Sequence, residues 1–340
     1  MKKERLFYLD FIRTIALFVI LVMHFNATIT DTFKYLGPFT RSMLPGHVTF
    51  GEFGSSLFFM LSGASFGLAL DRPFHAGEFY LGRAKRIYPM FYIAFLVCFG
   101  IRFTENPGNY AFVPTSSILY SVLGIDMFAQ SVGLCPINFA CVGEWFTGVI
   151  LIIYLMFPLF RKGVLKAPSV TAILAASVFI PIHLTGIDRG LVALNVVKFL
   201  FGIYFTKYRL YEKKYAVSAG VCSVLLAVFL FPRIGMPAGF GDLLLSAGIF
   251  VILAVLAPVF EVRGVKRFCY LCSRYSYAAF LVHHVLIQRM IRNFDLETLR
   301  TRDALLLFGV YLTFTAICSV LLYAANEKLG EALRPKESGG

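Results

Sequence analysis

The chain has 340 residues, 58% of them hydrophobic and 15% charged, with a formal net charge of +13. A mean hydropathy of +0.75 excludes a water-soluble domain, because a fold of this size has no interior large enough to hide so much apolar surface. The composition is that of an all-α polytopic membrane protein, so its positive charge is expected on cytoplasmic loops rather than against nucleic acid.

Residues 6–29, LFYLDFIRTIALFVILVMHFNATI, form the first apolar stretch. It is long enough to cross a bilayer, since about 20 residues at a rise of about 1.5 Å span a hydrocarbon core of roughly 30 Å. The basic start is that of a signal peptide, but the run exceeds an h-region and lacks a small-residue cleavage site, so a retained helix is expected. It carries Asp10, Arg13 and His24. At about 100° per residue, Arg13 and His24 fall within roughly 20° of one another, and Asp10 within roughly 40° of the same line. Ionisable groups at membrane depth usually face a bundle interior or a wet cavity. The stripe is therefore a candidate site, with an Asp10–Arg13 ion pair as the structural alternative.

A loop over 30–50 leads to a second span, Gly51–Leu70, whose Gly54, Ser55, Ser62, Gly63, Ala64 and Gly67 permit close helix contacts. Asp71–Arg86 reads as a short basic loop ahead of a third span at 87–103. Within it, Arg83 and Arg86 form an RxxR whose spacing suits the clasping of a phosphate, enlarged by Arg72 and Lys85. Residues 104–142 are polar and turn-rich, and the apolar stretch 116–128 within them is too short to span, so a re-entrant or interfacial helix is expected there. Further spans follow at about 143–160, 168–184, 190–206, 215–231, 240–260, 268–291 and 304–325, which makes about ten in all.

Lysine and arginine give the orientation. With both termini cytoplasmic, the inner side gathers 20 of them and the outer side 9, while Arg13, Lys198 and Arg274 lie within spans. One transmembrane domain over 1–330 and a polar tail over 331–340 are expected.

Seven cysteines make no scaffold. Cys98, Cys222 and Cys318 sit in apolar runs, and Cys269 and Cys272 form a CxxC without a second pair or nearby ligand histidine, so no metal is expected. Cys135 and Cys141 share an outer loop, where an oxidising environment favours a disulfide. Near the outer end of the ninth span lie His283 and His284. Adjacent residues point about 100° apart, so at most one of the two is expected to share a face with a given partner. Glu144, beside the only tryptophan, Trp145, opens the fourth span, and Glu52 opens the second. Each is a candidate for binding a hydroxylated acceptor, or else a solvated helix cap.

These elements together resemble the membrane acyltransferase-3 family, which O-acylates cell-surface glycans. The first helix, with Arg13 and His24 separated by ten residues, is similar to the family's first-helix signature. LFFMLSG at 57–63 resembles its second-helix element, GRAKRIYPMF its RxxR, WFTGVILIIYLMFPLF at 145–160 its Trp–Tyr–Pro helix, and SYAAFLVHH its late Ser-Tyr–His element through His283. The chain departs from the pattern at Ile150, where many members carry a glutamate, and it ends at Gly340 without the esterase-like domain that some relatives append.

The resemblance implies an enzyme of a bacterial plasma or inner membrane that moves an acyl group, above all acetyl, from cytoplasmic acyl-CoA (acetyl-CoA) to a hydroxyl of an extracytoplasmic or lipid-linked glycan. His24 would be the general base, with Asp10 and Arg13 along the path. Arg83 and Arg86 would hold the donor, and Glu144, Trp145, His283 and Glu52 the acceptor. A secondary transporter of an anionic metabolite is the rival class, but the half-to-half similarity it calls for is not evident.

Overall fold

A computed structural model describes residues 6–33, 43–44, 48–105, 112–137, 139, 142, 144–187, 191–295 and 299–333, the side chains of 30–33, 43, 105 and 144 apart. The fold is almost wholly helical. Helix α1 spans Phe7–Phe33 and is followed by a two-residue ribbon, β1 (Met43–Leu44) and β2 (Val48–Thr49), paired antiparallel. Helix α2 (Phe50–Gly67) starts at a capping box: the Thr49 side chain accepts from Glu52 N, and the Glu52 carboxylate accepts from Thr49 N at 3.0 Å. Then come α3 (Ala76–Glu105), α4 (Ile118–Leu123) and α5 (Asp126–Ser131). Helices α6 (Glu144–Lys166) and α7 (Pro168–Thr185) are separated only at Ala167, because Pro168 begins the second. The chain continues with α8 (Ala193–Lys207), α9 (Ala216–Leu225, prolonged by a π turn), α10 (Ala238–Leu256), α11 (Arg263–Ile291) and α12 (Thr301–Ala332).

Each span expected from the sequence falls mainly on one of these helices. Among the described residues, six helices are long and apolar enough to cross a membrane: α1, α3, α6, α7, α10 and α12. Helices α2 and α8 are buried along most of their length, and the first half of α11 is diluted by Arg263, Lys266, Arg267 and Arg274.

Two expectations are corrected. Ala76–Arg86 is helix rather than basic loop, so Arg83, Lys85 and Arg86 stand on the first turns of α3. Hydropathy marks where a helix is apolar, and this one begins before that. The single interfacial helix of residues 116–128 is two short ones, broken where Gly124 turns left-handed at φ 73°.

Helix α2 lies at the centre, against α1 on one side and α8 on the other. The α2–α8 contact is backbone on backbone. A β-carbon on Gly63 would come within 1.8 Å of the Phe199 carbonyl oxygen, and one on Gly202 within 2.0 Å of that of Met60. Only glycine fits at either position. Beside this crossing, buried Lys198 of α8 donates to Asp242 Oδ2 of α10 at 2.7 Å and to Asn195 Oδ1 at 3.1 Å. Ser56 of α2 and Ser246 of α10 donate to the same carboxylate at 2.7 and 2.8 Å. Three helices thus meet on one satisfied ion pair.

Removing one member of a buried ion pair strands the other charge, which costs about 3–5 kcal/mol, whereas replacing both by apolar residues of similar volume is often neutral. Lys198→Ala or Asp242→Ala alone should therefore destabilise the bundle more than Lys198→Met combined with Asp242→Leu. Thermal unfolding in detergent measures this, and a double variant less stable than either single would contradict it.

Candidate active site

Between α1, α2, α3, α6, α11 and α12 opens a cavity of about 1360 Å³. Its lining holds Arg13, Arg72, Arg83, Lys85, Arg86, Arg161 and Arg274 against two carboxylates, Asp10 and Glu78. A basic cavity of this size attracts anions by its charge.

Several of its cations are held in place. Arg13 lies 3.6 Å from Asp10 one turn away, and its Nη1 donates to Ser273 Oγ of α11 at 2.6 Å. The pairing allowed by the i, i+3 spacing is formed, and it faces the cavity. Arg83 is half-buried among aromatic rings, its guanidinium 5.1 Å from the ring centre of Phe66, 5.7 Å from Phe79 and 5.9 Å from Tyr154. The Tyr154 hydroxyl is fixed by Ser62 Oγ at 2.9 Å. Arg86 is exposed at the rim. Arg161 donates to the Arg72 carbonyl at 2.7 Å while resting over Phe74, and Arg274 rests over Tyr323, 3.5 Å from Glu327.

His24 is not in this cavity. It lies eleven residues beyond Arg13, about 16 Å along the helix, in a separate cluster of imidazoles. Its ring centre is 4.7 Å from that of His283 and 4.9 Å from that of His284. The expectation that only one of the adjacent histidines reaches a common partner is corrected, because His24 contacts both. His283 is 1% exposed. Its Nδ1–H donates to the Phe280 carbonyl at 2.7 Å and approaches that of Ala279 at 3.2 Å. Its Nε2 is left buried and without a hydrogen-bond partner among the described residues. No three His, Cys, Asp or Glu among the described residues are grouped to hold a metal ion.

Aromatic rings separate the two compartments. Phe280 lines the cavity and lies 5.7 Å from the His283 ring. Phe146, also in the lining, is 5.1 Å from Phe280 and 6.0 Å from Phe58. The polar stripe of the first helix is therefore cut in two: Asp10 and Arg13 belong to the basic cavity, and His24 to the far side of a layer formed by Phe58, Phe146 and Phe280.

Other sequence-derived candidates lie elsewhere. Glu52 is exposed and caps α2, its carboxylate engaged by Thr49 N at 3.0 Å and Thr49 Oγ1 at 2.8 Å. Trp145 packs on Phe59 and Phe146 without lining the cavity. His283 is buried and does not line the cavity. The side chain of Glu144 and all of Cys141 lie outside the described residues. Cys135 is a buried free thiol 4.0 Å from the Asp126 carbonyl, and burial pushes its pKa up. Arg161, Ser273 and Phe280 were not singled out from the sequence. Arg274 was noted as an arginine within an apolar span, and Ser62, Tyr154, Ser276 and Tyr277 lie in the stretches that carry the family resemblance.

Exchange of a stacked, forked guanidinium for an ammonium is not conservative. Arg83→Lys and Arg83→Ala should each weaken binding of a phosphorylated nucleotide such as coenzyme A by about tenfold or more, since a hydrogen bond to a charged group is worth about 1.5–3 kcal/mol. Calorimetric affinities equal to wild type in both variants would remove Arg83 from the anion site.

No curated protein and no solved structure matched this chain. A family model described as an acyltransferase domain matches residues 6–324, so it covers the basic cavity, the aromatic layer and the imidazole cluster together. The chain belongs to the acyltransferase-3 family.

Proposed function

We propose that this acyltransferase binds acyl-CoA, with acetyl as the acyl group, in the basic cavity and acylates a hydroxyl of an extracytoplasmic or lipid-linked glycan beside His24. In this reading ten helices cross a bacterial plasma (inner) membrane, both termini are cytoplasmic, and the basic cavity opens to the cytoplasm. The observation that carries it is the partition of α1 into a cationic compartment around Arg13 and an imidazole compartment around His24, with the rings of Phe58, Phe146 and Phe280 between them.

The chemistry follows from that partition. Coenzyme A carries several phosphate charges, which suit Arg83, Arg86, Arg161 and Arg13. Its thioester end is uncharged and is the part able to enter the aromatic layer. A sugar hydroxyl has too high a pKa to attack unaided, and a neutral imidazole is suited to accept its proton near neutral pH. His24 takes that proton as the hydroxyl oxygen bonds to the thioester carbon. The carbon–sulfur bond then breaks, and the departing thiolate takes the proton from His24 to leave as the free thiol. His283, with a lone pair on Nε2 next to His24, suits holding the N–H of the His24 ring. Arg13 fits a coenzyme phosphate better than the reacting carbonyl, because its tether to Asp10 and Ser273 keeps it in the cavity.

The test supplies labelled acetyl-CoA to inside-out vesicles containing a lipid-linked saccharide and measures label on the saccharide. Wild-type protein should transfer label, and His24→Ala should transfer less than a tenth as much at equal abundance, because a general base is typically worth about 10²–10⁴-fold. Retention of more than a tenth would overturn the role of His24. Label that reaches no hydroxyl acceptor, but enters the vesicle lumen unchanged, would favour transport instead.

A further inference from the structure

Hydroxyl groups of α2, α6 and α11 line the cavity between its cationic mouth and the aromatic layer. Several have their hydrogen committed to the backbone. Ser65 donates to the Leu61 carbonyl at 2.8 Å, Ser276 to that of Ser273 at 3.0 Å and Tyr277 to that of Ile87 at 3.2 Å. Ser62 and Tyr154 differ. Both are half-buried, and their oxygens lie 2.9 Å apart, bonded to each other across α2 and α6. Each hydroxyl brings one hydrogen, and the mutual bond uses one of the two. No carbonyl among the described residues accepts the other. Any approach of the neighbouring Arg83 to the Tyr154 oxygen takes up a lone pair and no hydrogen, because a guanidinium only donates. The pair therefore keeps both a hydrogen and lone pairs for whatever fills the cavity.

Its level in the cavity decides what it meets. Ser62 stands about 6 Å along α2 from Phe58 of the aromatic layer, and about 15 Å from Arg72 at the mouth. Tyr154 stands about 10 Å along α6 from Arg161. A ligand with its phosphates among Arg72, Arg83 and Arg161 and its acyl thioester at the layer passes this pair with the stretch that joins the two ends. In coenzyme A that stretch is the pantetheine arm, which carries amide groups and no charge. An amide leaving water needs a donor for its carbonyl and an acceptor for its N–H. Two neutral hydroxyls supply both, and they do not compete with the guanidiniums for phosphate.

We propose that Ser62 and Tyr154 are specificity-determining residues that bind an amide of the pantetheine arm, and so select thioesters of that arm over other carriers of the same acyl group. The inference rests on the reading of the basic cavity as the coenzyme A site. No bond is made or broken at the pair. It sets how far the arm reaches toward Phe58, Phe146 and Phe280, and hence where the thioester stops.

Calorimetry in detergent with two probes separates this role from a structural one. Coenzyme A carries phosphates and arm, whereas 3′-phospho-ADP carries the same phosphates without the arm. Tyr154→Phe removes one oxygen and keeps the ring beside Arg83, and Ser62→Ala removes the other oxygen. Wild type should bind coenzyme A more tightly than 3′-phospho-ADP. Each variant should weaken coenzyme A by about three- to tenfold, the effect of one neutral hydrogen bond, with a smaller loss for 3′-phospho-ADP. Arg83→Ala should weaken both probes, because the phosphates are common to them.

Equal losses for the two probes would show that the pair only ties α2 to α6, and would overturn the inference. Coenzyme A affinities equal to wild type in both variants would do the same. Wild type that binds the two probes equally well would leave the cavity its coenzyme A reading but remove the arm site. Wild type that binds neither would remove that reading and the arm site together. Should one variant fail to fold, the other carries the comparison, since each takes one partner from the same pair.

Discussion

A charged side chain at membrane depth costs on the order of 3 kcal/mol even on lenient insertion scales, and the interior of this bundle is arranged around meeting that cost. Lys198 and Asp242 neutralise each other, and two serines and an asparagine complete their hydrogen bonds. Arg13 is matched by Asp10 from its own helix and by Ser273 from α11. Arg102 is matched by Gln288. Arg83 takes a different course, with its charge spread over the faces of three rings. Most of these contacts join helices far apart in sequence, so the groups that are dearest to bury are also the ones that set which helices meet.

The same constraint explains the two compartments. Where cations outnumber carboxylates, as around Arg72, Arg83 and Arg161, the wall has to remain open to water or to an anionic ligand, and there the cavity lies. Where the ionisable groups are imidazoles, they pack like aromatic rings against Phe280 and one another. Phe58, Phe146 and Phe280 stand between the cationic region and the imidazoles. On the proposed chemistry this layer sorts the donor, holding its phosphates back while an uncharged acyl thioester can enter.

Much of the fold was legible because a transmembrane helix is a local object, whose backbone hydrogen bonds close within the segment and whose apolar length is written in consecutive residues. The helices, the small residues of α2 that meet α8, the Asp10–Arg13 pairing and the basic character around Arg83 follow from spacing alone. Helix ends were less legible at α3, where amphipathic turns precede the apolar run, and at Gly124, where one backbone angle divides a helix. For Glu52 the sequence showed only a carboxylate at a helix terminus, and that it caps α2 is seen in its contact with Thr49.

The sequence by itself determined the class of protein, the places of its helices, and the residues of α1 able to carry charge or titrate. It could not determine that Arg13 and His24 serve different compartments, since alignment on one face of α1 says nothing of what wedges against that face. That was decided by α11, which brings Ser273 to Arg13 across 260 residues and sets Phe280 between the cavity and His283. It could not show His24 between two imidazoles either, because the register of α1 against α11 is a packing outcome that no periodicity within either helix records. Contacts of that range are chosen by shape and by the pairing of buried polar groups, and these exist only once the helices are together.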